Sequence, residues 1–122
     1  MTEANIWFFR QDEDDELLLH EIEDTEHKAI IDTLLANTTD VDINHTKWGM
    51  ESYSDWPSLL DDMRSLSRIH KDIVIKLFYC EDNVPEGEMV FFKAGGVQVA
   101  QSAIIYDGFD PEKLEYAEEE LI

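Results

Sequence analysis

The 122-residue chain has a single cysteine, few basic residues and no long apolar run. One cysteine, Cys80, excludes an intrachain disulfide and is typical of a reducing compartment. No apolar stretch approaches the roughly 20 residues that a membrane-spanning helix needs. The N-terminus has neither the basic nor the apolar region of a signal peptide. We therefore expect a cytoplasmic protein that does not enter a membrane.

Positive charge is scarce. Nine Lys and Arg residues stand against 29 Asp and Glu residues, for a formal net charge of −20. Such an excess repels the phosphates of nucleic acids and of anionic lipids. We therefore expect no direct nucleic-acid or membrane binding and a basic protein as the partner. Solubility alone also explains an acidic surface, whereas abundant Ile and more Lys than Arg argue against adaptation to high salt.

Catalytic signatures are missing as well. The chain lacks the phosphate-loop, dinucleotide-binding, nucleophile-elbow, H-E-x-x-H and C-x-x-C motifs. His20, His27, His45 and His70 lack the spacing of metal ligands. Cys80 has no basic cluster beside it that would activate it as a nucleophile. The sequence predicts a protein without enzymatic activity, metal or cofactor.

One acidic run, residues 12–16, is a candidate metal site. Calcium loops alternate their ligands and need a central glycine, and this run has contiguous acids and no glycine. A solvated acidic loop is the favoured interpretation. A small enzyme with a carboxylate-metal site at these residues is kept as a minor alternative.

The apolar pattern predicts one α+β domain over residues 1–122, since 43% of the residues are hydrophobic and 13 are aromatic. Residues 5–10 are expected to form a strand. Residues 17–22 fit a second strand or the start of a helix, and the strand is favoured. A helix should begin at Asp24, a good N-cap, and an edge strand should follow at 41–46. Residues 47–53 are expected to be a connection.

The second half shows clearer periodicity. A helix capped by Ser54 or Asp55, with Pro57 in its first turn, should bury one face that includes Trp56. Strands are expected at 73–79, 89–93 and 97–106, the first of them central. A Gly95-Gly96 turn should join the last two. A short C-terminal helix should start at Asp110. The predicted fold is therefore an antiparallel sheet, a C-terminal three-stranded meander plus N-terminal strands, packed against two helices.

Two groups of residues are the candidates for binding a partner. The first is the pair Trp48 and Tyr53, which would form a binding hot spot if the loop before the central helix exposes them. Burial of Trp56 in the core, with Trp48 capping the sheet, is the favoured alternative. The second group is acidic and lies in the two segments richest in acid. Its members are Asp12, Glu13, Asp14, Asp15, Glu16, Glu115, Glu118, Glu119 and Glu120.

Three short patterns carry a resemblance to a known group. They are T-K-W at 46–48, D-M-x-x-L-S at 62–67 and Y-D-G-F-D at 106–110. Together they resemble small uncharacterised acidic proteins of phages, prophages and plasmids that have a ferredoxin-like α+β core. The resemblance covers roughly residues 46–114 and implies an origin in a mobile element, where such proteins block host defence nucleases. The long acidic N-terminal half and the second glycine of Gly95-Gly96 depart from the pattern. No catalytic residue is carried over.

Charge, fold and missing motifs lead to one favoured hypothesis. Carboxylates on a rigid surface can occupy the basic nucleic-acid channel of a partner, as in a DNA mimic. We expect an acidic, non-enzymatic inhibitor of a nuclease or other basic nucleic-acid-handling protein, of the anti-CRISPR or anti-restriction type. An immunity protein or antitoxin that neutralises a basic toxin would bind its partner by the same electrostatic attraction, and it stays as an alternative. A homodimer through a sheet edge or the Trp48–Trp56 surface is also kept, although the charge opposes it.

Overall fold

The computed structural model describes residues 2–37, 43–45, 49–52, 56–81, 87–100 and 108–116. In chain order, the elements are β1 (Thr2–Gln11), β2 (Leu19–Glu21), α1 (Asp24–Asn37), β3 (Asn44–His45), β4 (Gly49–Ser52), α2 (Leu59–Ile69), β5 (Val74–Glu81), β6 (Glu88–Lys93), β7 (Gly96–Val99) and a 3-10 turn (Pro111–Lys113).

All seven described strands belong to one antiparallel sheet. The strand order is β3-β4-β1-β5-β6-β7, and β2 pairs with the C-terminal end of β1. Strand β5 lies between β1 and β6, so its predicted central position is confirmed. With two helices packed on this sheet, the predicted α+β class is confirmed. No helix in the described ranges combines the length and the apolar character needed to cross a membrane.

The main core lies between the two helices and one face of the sheet. Side chains alternate along β5, because successive residues of a strand point to opposite faces. Ile75 and Leu77 therefore meet the helices, while Val74 faces the other way. On the helix side, Ile30 of α1 and Met63 of α2 are almost fully buried. This burial is the main stabilising term of the fold.

A smaller core covers the opposite face of the sheet. It is built on Val74, Phe91 and Phe109, which are buried together, with Leu19 and Leu114 partly buried against them. Leu19 belongs to β2, whereas Phe109 and Leu114 flank the 3-10 turn. This second core therefore fastens both the N-terminal hairpin and the C-terminal segment to the same face of the sheet.

Strand β4 falls where a connection was expected, so that expectation is wrong. Its glycine, which suggested a loop, is required by the packing of the strand. A Cβ on Gly49 would lie 1.7 Å from the carbonyl oxygen of Ile6 in β1. The β1–β4 pairing sets Ile6 opposite Met50, a fully buried core residue. Glycine is used here because two backbones approach closely.

Strands β2, β3 and β7 are shorter than predicted, whereas β1, β5 and β6 extend beyond the predicted ranges at one end or both. Residues 19–21 form a strand, which confirms the strand interpretation of 17–22 over the helix. Strand β3 covers Asn44–His45 of the predicted 41–46, and β7 covers Gly96–Val99 at the start of the predicted 97–106. Of the remainder, Ile43 and Ala100 are described and belong to no strand, and residues 41–42, 46 and 101–106 lie outside the described residues.

Helix α2 begins at Leu59, later than predicted. Its N-cap is Ser58, whose side chain makes no capping hydrogen bond. The carboxylate of Asp62 instead accepts hydrogen bonds from the Ser58 hydroxyl at 2.8 Å and from the Trp56 indole at 2.7 Å. Trp56 is 3% exposed, so its assignment to the core is confirmed. The Asp62 carboxylate therefore holds the start of the helix.

Two details at the C-terminal end differ from expectation. Positive φ angles in the β6–β7 turn occur at Ala94 and Gly95, not at the Gly95-Gly96 pair. The predicted C-terminal helix starts as expected, since the Asp110 carboxylate accepts from the Glu112 N–H at 3.0 Å and Pro111 follows the cap. It is, however, a three-residue 3-10 turn, because the chain is already extended at the next residue and pairs with β7. Residues 117–122 lie outside the described residues.

Candidate partner-binding surface

The acidic run is a folded loop that closes the β1–β2 hairpin. The N–H of Asp12 donates to the carbonyl of Leu18 at 2.9 Å, and the N–H of Leu18 donates to the carbonyl of Asp15 at 3.0 Å. The Asp12 carboxylate accepts from the N–H groups of Asp14 at 3.0 Å and Asp15 at 3.1 Å. Aspartate commonly folds a turn in this way. The loop therefore has a defined shape despite its charge.

A histidine from β2 completes this arrangement. The Nε2 atom of His20 lies 2.8 Å from the Oδ1 atom of Asp12. The hydrogen bond from His20 lowers the pKa of the Asp12 carboxyl, and the N–H groups of Asp14 and Asp15 lower it further. Each of these donors favours the charged form of the carboxyl. Asp12 therefore stays ionised and organises the loop.

The members of the acidic run divide into two roles. Asp15 also serves the loop, because its carboxylate accepts from the N–H of Leu17 at 3.0 Å. Glu13, Asp14 and Glu16 have exposed side chains, and their carboxylates are the ones the loop presents to solvent. The sequence predicted all of these acids as equivalent partner contacts. In the structure, the carboxylates of Asp12 and Asp15 shape the loop, and those of Glu13, Asp14 and Glu16 are exposed to solvent.

A buried glutamine of β7 fixes the C-terminal segment. Gln98 is 2% exposed and lies on the face of the second core. Its amide nitrogen donates to the carbonyl of Gly108 at 3.0 Å, and its amide oxygen accepts from the N–H of Asp110 at 2.8 Å. The rings of Phe91 and Phe109 pack beside it, with centroids 5.7 Å apart. These contacts set the position of the 3-10 turn.

The hairpin loop and the 3-10 turn line one groove of about 570 Å³, which we call the acidic groove. Acids far apart in the sequence thus share one surface. The lining residues are Glu13, Asp14, Asp15, Glu16, Leu17, Asp110, Pro111 and Glu112. Asp110 and Glu112 were predicted only as part of a helix, so their place beside the loop was missed. The sequence carries no signal for this placement, because it depends on the burial of Gln98 and on the partners that its amide then needs.

Among the other predicted contacts that the structure describes, Glu115 lies outside this groove. Glu115 pairs with Val97 at the edge of β7 and lines a different groove beside α2. Five predicted contacts lie outside the described residues, namely Trp48, Tyr53, Glu118, Glu119 and Glu120. The acidic groove is therefore the part of the predicted surface that the described residues bring together.

A metal site needs several ligating side chains grouped together. Within the described part of the chain, no three His, Cys, Asp or Glu side chains are grouped so that they could hold a metal ion. This includes the acidic run, where two of the carboxylates are engaged by the loop backbone.

Comparison of the chain with protein-family models, with curated proteins and with solved structures gives no match.

Proposed function

We propose that this protein is a non-enzymatic inhibitor that binds a basic nucleic-acid-handling protein, such as a defence nuclease, through the acidic groove. The observation that carries the proposal is the meeting of the hairpin loop and the 3-10 turn in one groove. Carboxylates on two fastened segments present a fixed pattern of negative charge. Such a pattern can take the place of nucleic-acid phosphates in a basic channel.

The order of the loop supports this function on energetic grounds. A mobile acidic tail loses conformational freedom when it binds, and that loss subtracts from the affinity. Here the Asp12–His20 contact and the backbone hydrogen bonds of the loop fix its shape before any partner arrives. Gln98 does the same for the C-terminal segment. The net charge of −20 would in addition speed the encounter with a basic partner.

The test uses charge reversal of the displayed carboxylates. In one variant, Glu13→Lys, Asp14→Lys and Glu16→Lys are combined, while the loop-shaping Asp12 and Asp15 are retained. The tagged wild-type protein captures partners from a lysate of the organism that encodes it, and mass spectrometry identifies them. DNA cleavage by the purified captured nuclease is then measured with each variant. We expect the triple variant to lose inhibition at least about tenfold, with wild-type inhibition weakening as salt rises.

The control variant makes the same change in charge at residues that do not line the acidic groove. It combines Glu23→Lys, Asp32→Lys and Asp72→Lys, whose side chains are all exposed. The control should inhibit nearly as well as the wild type. Equal inhibition by the wild type and the groove variant would contradict the proposal, as would capture of partners that do not handle nucleic acid. Capture of a toxin encoded beside this gene would favour the immunity-protein alternative.

A further inference from the structure

A second groove, of about 350 Å³, lies between α2 and the β6–β7 edge of the sheet. We call it the apolar groove. Val90 and Phe92 contribute to it from the sheet, and three exposed side chains form part of its lining. Leu60 is 43% exposed, Val99 43% and Tyr116 48%. Apolar side chains grouped around a concave surface, rather than scattered singly, are typical of a binding site.

The segment that carries Tyr116 is held to β7 by two backbone hydrogen bonds. The N–H of Val97 donates to the carbonyl of Glu115 at 2.8 Å, and the N–H of Glu115 donates back to the carbonyl of Val97 at 2.7 Å. Gly96 leaves room for the Tyr116 ring, because a Cβ there would lie 2.7 Å from the ring. The groove is therefore a shaped feature at the edge of the sheet.

Charge indicates the kind of occupant. Asp61, Glu88 and Glu115 line the apolar groove and are exposed. Among the described lining residues, the one basic side chain is Arg64, which donates from Nε to the carbonyl of Gly95 at 2.7 Å. This hydrogen bond directs that part of the guanidinium to the β6–β7 turn. An apolar groove bordered by three carboxylates fits an apolar side chain flanked by cations. A second copy of this chain is opposed by its own net charge of −20.

We propose that the apolar groove binds a segment of a basic protein partner in which a large apolar side chain is flanked by Lys or Arg. This inference rests on the proposed function for the identity of the partner. The apolar side chain would contact Leu60, Val99 and Tyr116, and the flanking cations would pair with the carboxylates of the rim. Such anchoring adds contacts that charge alone does not supply.

The experiment uses defined peptides and the intact protein. The probe is a synthetic peptide with Phe between two pairs of Lys. Its comparators replace Phe by Ala or every Lys by Glu. Binding is followed by NMR shift changes of the Leu60, Val99 and Tyr116 signals. We expect the first peptide to bind at these signals and both comparators to bind at least about fivefold more weakly, since each lacks one of the two contributions.

A pair of protein variants checks the location. Leu60→Ser removes a lining residue, and Ile69→Ser is its control on the same helix, since Ile69 is 58% exposed and lies outside this groove. Leu60→Ser should weaken peptide binding about fivefold, while the control should not. Equal binding of all peptides, or equal effects of the two variants, would overturn the proposal. A third result would also overturn it: no peptide binds, and Leu60→Ser destabilises the free protein more than Ile69→Ser does. The groove would then be filled by the chain itself.

The two proposals can fail separately. Retained nuclease inhibition without peptide binding would overturn the apolar groove as a docking site and leave the acidic groove supported. Peptide binding at the apolar groove without any nuclease inhibition would support this inference about ligand chemistry and overturn the proposed function.

Discussion

The hydroxyl of Ser67, on the buried side of α2, accepts a hydrogen bond from the N–H of Gly95 at 3.0 Å, in the β6–β7 turn. The same hydroxyl donates to the carbonyl of Arg64 at 2.6 Å. The carbonyl of Gly95 accepts from the Arg64 side chain. One helix therefore holds both polar groups of the turn glycine, and the turn that orders β7 is tied to the main core.

Removing this hydroxyl should destabilise the fold. Ser67 is fully buried, so Ser67→Ala leaves the Gly95 N–H buried without its partner. An orphaned buried donor costs about 1–3 kcal/mol of the free energy of unfolding. Ser65→Ala, at an exposed position of the same helix, should change it by less than about 0.5 kcal/mol. Urea unfolding of both variants measures the difference, and equal midpoints would contradict the role of Ser67.

A methyl group on Gly49 should separate two central strands. The added Cβ of Gly49→Ala would meet the Ile6 carbonyl oxygen at 1.7 Å, which no side-chain adjustment relieves. We expect a loss of about 3 kcal/mol or more in the free energy of unfolding, by analogy with overpacked cores. Gly108→Ala is the matched control, because nothing lies within 4 Å of its Cβ position. Calorimetry that shows the two variants equally stable would disprove the close approach.

The Asp12–His20 contact predicts a dependence on pH. Because the pKa of Asp12 is lower in the folded chain than in the unfolded one, its contribution to stability is present at neutral pH. That contribution is lost as the pH falls below the unfolded value, about 3.9, and through the folded pKa. His20→Ala should raise the pKa of Asp12 only part of the way to its ordinary value, since the N–H groups of Asp14 and Asp15 remain.

Carbon-detected NMR titration of the Asp12 carboxyl measures this shift directly. His70→Ala is the control, because His70 contacts Thr33 of α1 instead of the loop. The control should leave the pKa of Asp12 unchanged. A pKa of Asp12 that is the same in the wild type and in His20→Ala would rule out the contact as its cause.

Gln98 should determine the position of the C-terminal segment. Gln98→Met keeps the size of the side chain but removes the bonds to Gly108 and Asp110, so amide exchange at Asp110 should accelerate. A loss of about 1–3 kcal/mol in the local opening free energy corresponds to roughly 5- to 150-fold faster exchange. Gln98→Glu still accepts from the Asp110 N–H but no longer donates to the Gly108 carbonyl. Its exchange rate at Asp110 should therefore lie between those of the wild type and Gln98→Met. Unchanged exchange in both variants would contradict the role of Gln98.

The sequence by itself determined the features that depend on neighbours along the chain. Ile73, Ile75 and Leu77 alternate along the sequence and therefore share one face of the chain, and all three are buried in the main core. Asp110 followed by Pro111 predicted the capped start of a helix, and the cap is present, although the element is a 3-10 turn. These predictions succeed because side-chain alternation and capping are set within a few residues.

Only the tertiary structure decided what depends on residues distant in sequence. Gly49 looked like a loop residue until the backbone of Ile6 was placed beside it. The C-terminal helix is limited to a 3-10 turn by pairing of Glu115 with β7. The acidic groove arises because Gln98 and the second core bring the two acidic segments together. Such contacts join residues tens of positions apart, and neither the charge nor the local periodicity of either segment specifies them.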